Sequence, residues 1–287
     1  MNYKSDLNCS NQSSLPSPSM QVAVLQMKGW RNDFNESKIR LLDIVHDAGQ
    51  KKIRIFVAPE CACSEYCFRS SEEALSYSET LDGDFAQSLS QHSVNAQMWC
   101  FVGLIERDHQ SRLFNSVLIT SPNGQRQFYR KRLLFDADYL WAESGDDYPY
   151  TLPVDQKLSA FGLEPLVNDL SPPYPLFNID GWRVTVGICM DFNDLRFINF
   201  CVHSEVDLIA FPTNWIDQGQ PVLNYWAALM QDMRYTTLLA ANSYGLDGEY
   251  MLSGRSAILQ ATPPTLLGEA PQEGDFLMTC TLEYRRT

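Results

Sequence analysis

The feature that most constrains this chain is a recurring grammar of short apolar runs, each bounded by turn residues and some separated by helical periodicity. QVAVLQM from residue 21 reads as a buried strand. Asn35 to Ala48 then places Leu41, Ile44, Val45 and Ala48 at i, i+3, i+4 and i+7, the signature of an amphipathic helix, with Gly49 available to end it. KIRIFVAPE supplies a second buried strand, with Glu60 just past its end.

The same grammar predicts a helix over 84–95 and strands at 98–106, 115–120 and 125–133. The last two are joined through Pro122-Asn123-Gly124, where Asn-Gly suits a tight hairpin turn. Further strands are expected at 182–190, 207–212, 236–243, 253–260 and 275–284, and helices at 197–205 and 222–235. Strands outnumber helices by about two to one, and hairpins coexist with strand-helix-strand crossovers. The expected architecture is α/β: two mixed β-sheets packed face to face with helices outside, a four-layer α-β-β-α sandwich.

Residues 1–20, rich in Ser, Asn and Pro, read as a disordered tail, and residues 21–287 as one domain. The Pro-, Asp- and Leu-rich stretch 144–173 reads as an insertion within that domain. No window approaches the roughly 20 apolar residues of a membrane span, so neither a membrane nor a secretory route is expected. Twenty-two Lys and Arg against thirty-five Asp and Glu give a net charge of −13, which disfavours nucleic acid as a partner. Eight cysteines are too sparse for a disulfide scaffold, and the four histidines (His46, His92, His109 and His203) are dispersed, so reduced thiols in a cytoplasmic protein without a metal centre are expected. Cys61, Cys63 and Cys67 cluster in sequence; three packed thiols are favoured there over a zinc or redox site because no fourth ligand lies nearby. His203 is expected as an ordinary helix histidine.

Three expected strand ends each present one reactive group: Glu60 in VAPEC, Lys131 in YRKRL and Cys189 in GICMD. A carboxylate, an ammonium and a thiol are the general base, oxyanion partner and nucleophile of an acyl transfer. With AFPTNW, LLAANSYG and SGRSAIL following in order, the chain resembles the nitrilase, or carbon-nitrogen hydrolase, superfamily from about residue 21 to about residue 284.

That resemblance implies the sandwich fold, a Glu60-Lys131-Cys189 triad, and a supporting glutamate beyond the lysine, for which Glu143 in LWAESGD is the expected residue. It implies hydrolysis of a carboxamide through a Cys189 thioester, with Lys131 and the Met190 backbone N–H at the oxyanion, no cofactor, and a homo-oligomer. Tyr66, Asn214 and Trp215 fall in loops that line the family's pocket, packing being the alternative for each. The run CMDFNDLRFINF departs from the common pattern after the nucleophile and is locally similar to the protein N-terminal asparagine/glutamine amidase branch, so the substrate is a small-molecule or a peptide-terminal amide. A nitrilase, an N-carbamoyl hydrolase and a non-catalytic binding or assembly member are the alternatives.

Overall fold

The computed structural model describes residues 19–145 and 174–285. Residues 1–18 of the expected tail and 146–173 of the expected insertion lie outside the described residues. The first strand begins at Ser19, inside the stretch read as tail, because Ser19 and Met20 pair in register with Glu283 and Leu282 of the last strand.

The first sheet is built from β1 (Ser19–Gln26), β2 (Ile55–Ala58), β3 (Ser78–Glu79), β4 (Trp99–Arg107), β5 (Leu113–Thr120), β6 (Arg126–Arg130) and, from the far end of the chain, β15 (Phe276–Glu283). Its order is β15-β1-β2-β4-β5-β6, with β3 pairing alongside β4. The second sheet, ordered β14-β13-β10-β9-β8-β7, uses β7 (Leu176–Ile179), β8 (Trp182–Val186), β9 (Leu208–Thr213), β10 (Thr237–Asn242), β13 (Ala257–Gln260) and β14 (Thr265–Glu269). A separate hairpin pairs β11 (Tyr244–Asp247) with β12 (Tyr250–Ser253). Five helices accompany these strands among the described residues: α1 (Phe34–Gln50), α2 (Ser71–Leu75), α3 (Asp84–Ala96), α4 (Leu195–His203) and α5 (Val222–Leu229).

The layering follows from the two-residue period of a strand. In β1, Val22 and Val24 join the core shared with the second sheet, whereas Ala23 and Leu25 join a core with Leu41 and Val45 of α1 and Phe85 and Leu89 of α3. In β2, Ile55 and Val57 face the second sheet while Phe56 and Ala58 face the helices. Both faces are therefore covered, which is why these strands read as continuous apolar runs. On the other side, Phe197 and Phe200 of α4 and Trp226 of α5 cover the second sheet. The result is the four-layer sandwich expected from the sequence.

Two expected boundaries move. The strand ending on Cys189 stops at Val186, and Cys189–Asn193 forms a one-turn 3-10 helix instead. A side chain at Gly187 would put its Cβ 2.7 Å from Phe197 Cζ, so the absence of one lets α4 close against the exit from the sheet. The helix expected over 222–235 ends at Leu229. Met230 and Met233 remain buried through successive turns, so the apolar period outlasts the helix that it suggested.

Candidate active site

In both sheets the central strands run parallel, β1-β2-β4 in one and β8-β9-β10 in the other, and the reactive groups sit just past strand ends. Glu60 follows β2 at a chain crossing made possible by Gly103 of β4. A Cβ there would lie 2.5 Å from Glu60 Cα, and the bare backbone instead donates to Pro59 O (3.1 Å) and accepts from Ala62 N (2.9 Å). Lys131 follows β6, its backbone N–H still donating to Asn115 O at 2.7 Å.

These side chains meet in a buried cluster. Lys131 Nζ lies 2.7 Å from Glu60 Oε1 and 2.7 Å from Asp138 Oδ2, with all three side chains 0% exposed. Asn115 Nδ2 bridges the same two carboxylates, at 2.7 Å to Glu60 Oε1 and 2.8 Å to Asp138 Oδ1. Burial pushes the Glu60 carboxyl above its ordinary range; Lys131 opposes that shift and the neighbouring Asp138 adds to it. Burial alone would strip the Lys131 proton, but the Asp138 and Glu60 carboxylates override it and hold the ammonium well above the ordinary lysine range. Two carboxylates around one ammonium leave a surplus negative charge, which adds to the upward push on Glu60.

Glu143, the expected second acid, lies outside this cluster, where Asp138 stands instead. The Glu143 backbone N–H is pinned to Leu113 O at 2.8 Å, and its side chain, 56% exposed, turns outward to Arg112 at 3.8 Å. Asp138 opens the short 3-10 turn Asp138–Leu140, which folds it back under Lys131, and it also accepts from Phe135 N at 2.8 Å. The carboxylate spacing that mattered was set by that turn rather than by residue type.

Cys189 comes from the opposite sheet and carries φ +42°, in the left-handed region that a side chain disfavours. Only 9% exposed, its thiol is pushed up to about 12 by burial and by the Glu60 carboxylate, against the pull of Lys131, Thr213 and the Asn214 backbone N–H. Its turn is held by Asp191, a fully buried carboxylate that sequence reasoning did not single out. Asp191 accepts from Ile188 N (2.9 Å), Tyr129 Oη (2.8 Å), Arg132 N (3.0 Å) and Leu133 N (2.9 Å). One side chain thus ties the Cys189 turn to the segment carrying Lys131. Its position two residues after Cys189 in GICMD was the available signal.

A cavity of about 290 Å³ opens over Cys189, lined by Tyr66, Phe135, Met190, Asn193, Asn214, Trp215, Ile216, Gln218 and Tyr225. The structure thus brings Tyr66, Met190, Asn214 and Trp215 together with Cys189. Two supports come from strand ends, Asn242 of β10 and Asp247 of β11. Asn242 Oδ1 accepts from Trp215 N at 2.9 Å, and Asp247 accepts from Tyr66 N at 2.7 Å and Cys67 N at 3.2 Å. The expected thiol cluster diverges: Cys61 packs with Tyr66 and Phe68, Cys63 with the α1 and α3 core, and Cys67 Sγ donates to Asp247 O at 3.3 Å. His203 ends α4, with Nδ1 2.8 Å from Asn199 O.

The model of the carbon-nitrogen hydrolase family matches residues 21–269. The chain belongs to that family. Within it, the chain is 29% identical over 223 residues to a protein N-terminal amidase of Saccharomyces cerevisiae, covering 69% of this chain and 45% of the yeast protein, so it spans less than half of that relative's length. A protein N-terminal amidase of Schizosaccharomyces pombe is 23% identical over 269 residues, covering 79% of this chain and 86% of that protein. The solved amidase of Nesterenkonia sp. shares the fold at a TM-score of 0.71 with 15% identity, covering 92% of this chain and 90% of that one.

Proposed function

We propose that this carbon-nitrogen hydrolase is an amidase that converts a carboxamide to a carboxylic acid and ammonia through a Cys189 thioester. The observation that carries the reading is a cavity ending on Cys189 beside the buried Glu60-Lys131-Asp138 cluster. A thiol pushed up to about 12 stays protonated at neutral pH, so attack requires a base to take its proton during the same step. Glu60 is that base.

The sulfur–carbon bond forms as the carbonyl electrons move to oxygen. Lys131 offers this oxyanion its third N–H, the other two being used by Glu60 and Asp138, and the Met190 backbone N–H is a second donor. Each such donor is worth about 2.7–4 kcal/mol of transition-state stabilisation. As the carbon–nitrogen bond breaks, Glu60 returns the proton to the leaving nitrogen. Water then gives a proton to Glu60, attacks the thioester and releases the acid with the thiol. Every proton is carried by groups of this chain, and the reaction uses no cofactor.

An N-terminal asparagine or glutamine is the substrate best supported. The cavity walls named above are neutral, aromatic or amide side chains, while the cluster beneath holds two carboxylates against one ammonium. Such a pocket suits an amide whose neighbour is a cationic α-ammonium, through amide oxygens and aromatic faces. The two yeast relatives named as protein N-terminal amidases add to this support. The same reading places the enzyme in the cytoplasm, with free cysteines throughout the described residues, and in a homo-oligomer as the family resemblance implies.

The test incubates the protein and Cys189→Ala with primary amides, nitriles, N-carbamoyl amino acids and peptides beginning with Asn or Gln. Ammonia release and the intact mass of an acyl-enzyme are measured. Turnover of Asn- or Gln-ended peptides that vanishes in Cys189→Ala is expected. No turnover across the panel would instead favour a binding member of the fold.

A further inference from the structure

Several buried polar atoms without a hydrogen-bond partner lie near Cys189. Among the described residues they include Glu60 Oε2, Tyr66 Oη and Asn214 Oδ1. An unpaired polar group in the interior costs folding free energy, so a cluster of them at the floor of a cavity marks groups kept for something that binds there. Glu60 Oε2 is accounted for by the thiol and leaving-group protons. The Tyr66 hydroxyl is not.

Tyr66 is almost fully buried and lines the cavity with Cys189, and the carboxylates of Asp138 and Glu60 act on its hydroxyl. Its ring is fixed from several sides. Asp247 accepts from its backbone N–H, Trp141 packs edge-on at 6.4 Å, and Lys131 Nζ sits 5.5 Å from the ring centroid. Burial and the surrounding carboxylates keep the phenol protonated, so the group can only give a hydrogen bond or accept one. With carboxylates nearby, a ground-state acceptor role has little to recommend it; an anion forming at the attacked carbon is what a fixed, unpaired O–H in this place would meet.

We propose that the Tyr66 hydroxyl is a third hydrogen-bond donor to the tetrahedral oxyanion, beside Lys131 and the Met190 N–H, and that it acts in the transition state rather than in substrate binding. The inference rests on the amidase reading. No proton is transferred at Tyr66 and no bond to it breaks. Asp247 is its positioning residue, holding the 66–67 backbone.

Tyr66→Phe separates this role from a structural one, because it removes an oxygen that has no hydrogen-bond partner in the free protein. The expected result is a thermal midpoint equal to or above that of the wild type, a kcat on an Asn-ended peptide lowered roughly 100-fold or more, and KM within about three-fold. Alkylation of Cys189 by iodoacetamide, which forms no oxyanion, proceeds at the wild-type rate. A lowered thermal midpoint means that the hydroxyl has a structural partner and overturns the proposal. So does a raised KM at unchanged kcat, which assigns the hydroxyl to ground-state binding, and so does a matching fall in alkylation rate, which assigns it to the thiol. Wild-type turnover equal to that of Tyr66→Phe defeats the Tyr66 role alone, whereas a wild type inert on every amide defeats the underlying reading.

Discussion

At the scale of single residues, the site turns on which carboxylate accompanies Glu60. Asp138 raises the Glu60 carboxyl, so Asp138→Asn removes a negative charge and makes Glu60 easier to ionise. The acid limb of kcat/KM, which reports ionisation of the base, is expected above 4.5 in the wild type and at lower pH in Asp138→Asn, with kcat reduced about 100-fold. Glu143→Gln, altering an exposed side chain, should leave kcat and KM within about two-fold of wild type. Steady-state rates across a pH series check both variants. Asp191→Ala strands Ile188 N, Arg132 N, Leu133 N and Tyr129 Oη at once. Urea unfolding should show a loss of at least about 3 kcal/mol. Glu60 and Cys189 were legible because each follows an apolar run, and Lys131 because it sits in the short motif YRKRL after the hairpin strand. Asp138 was not, because Asp136, Asp138 and Glu143 are equivalent on paper and only a turn of three residues, Asp138–Leu140, decides which folds inward.

At the scale of elements, strands buried on both faces announced themselves as apolar runs, and α1 and α3 as periodic stripes. The strands that escaped notice are those with weak patterns. β14 exposes most of its residues, β7 alternates around a single buried Ile179, and β11 and β12 hide among turn residues. That last pair is the one closest to the chemistry. Its inner side presents Asp247 to the Tyr66 backbone and Tyr250 to Phe135 at 5.7 Å, while Ser253 N donates to Trp215 O at 2.8 Å. An isolated two-stranded hairpin is marginal in water, so these anchors hold it as much as it holds the pocket. Asp247→Ala should therefore loosen this unit alone. Hydrogen exchange is expected to accelerate at the Tyr66 and Cys67 amides, whose acceptor is lost, with protection of β1, β2 and β9 unchanged.

At the scale of the whole molecule, the buried acid–base cluster links stability to pH. A carboxyl whose folded value is raised above its ordinary 4.5 contributes stability that is complete below 4.5 and is lost as pH rises through the folded value. Glu60→Gln has no such loss. Its thermal midpoint relative to wild type should therefore rise between pH 4 and pH 8, a difference that scanning calorimetry at several pH values would reveal. A midpoint difference independent of pH would show that Glu60 ionises as freely in the folded chain as in the unfolded one.

The topology has one more consequence. Glu60 and Lys131 extend from the first sheet and Cys189 from the second, while β1, the first described strand, is hydrogen-bonded to β15, the last. A nascent chain emerging from the ribosome carries Glu60 and Lys131 first and Cys189 later. It cannot seat β1 between two neighbours until the last strand has been made. A chain interrupted before β15 therefore holds Glu60, Lys131 and Cys189 but leaves β1 without one of its two partner strands.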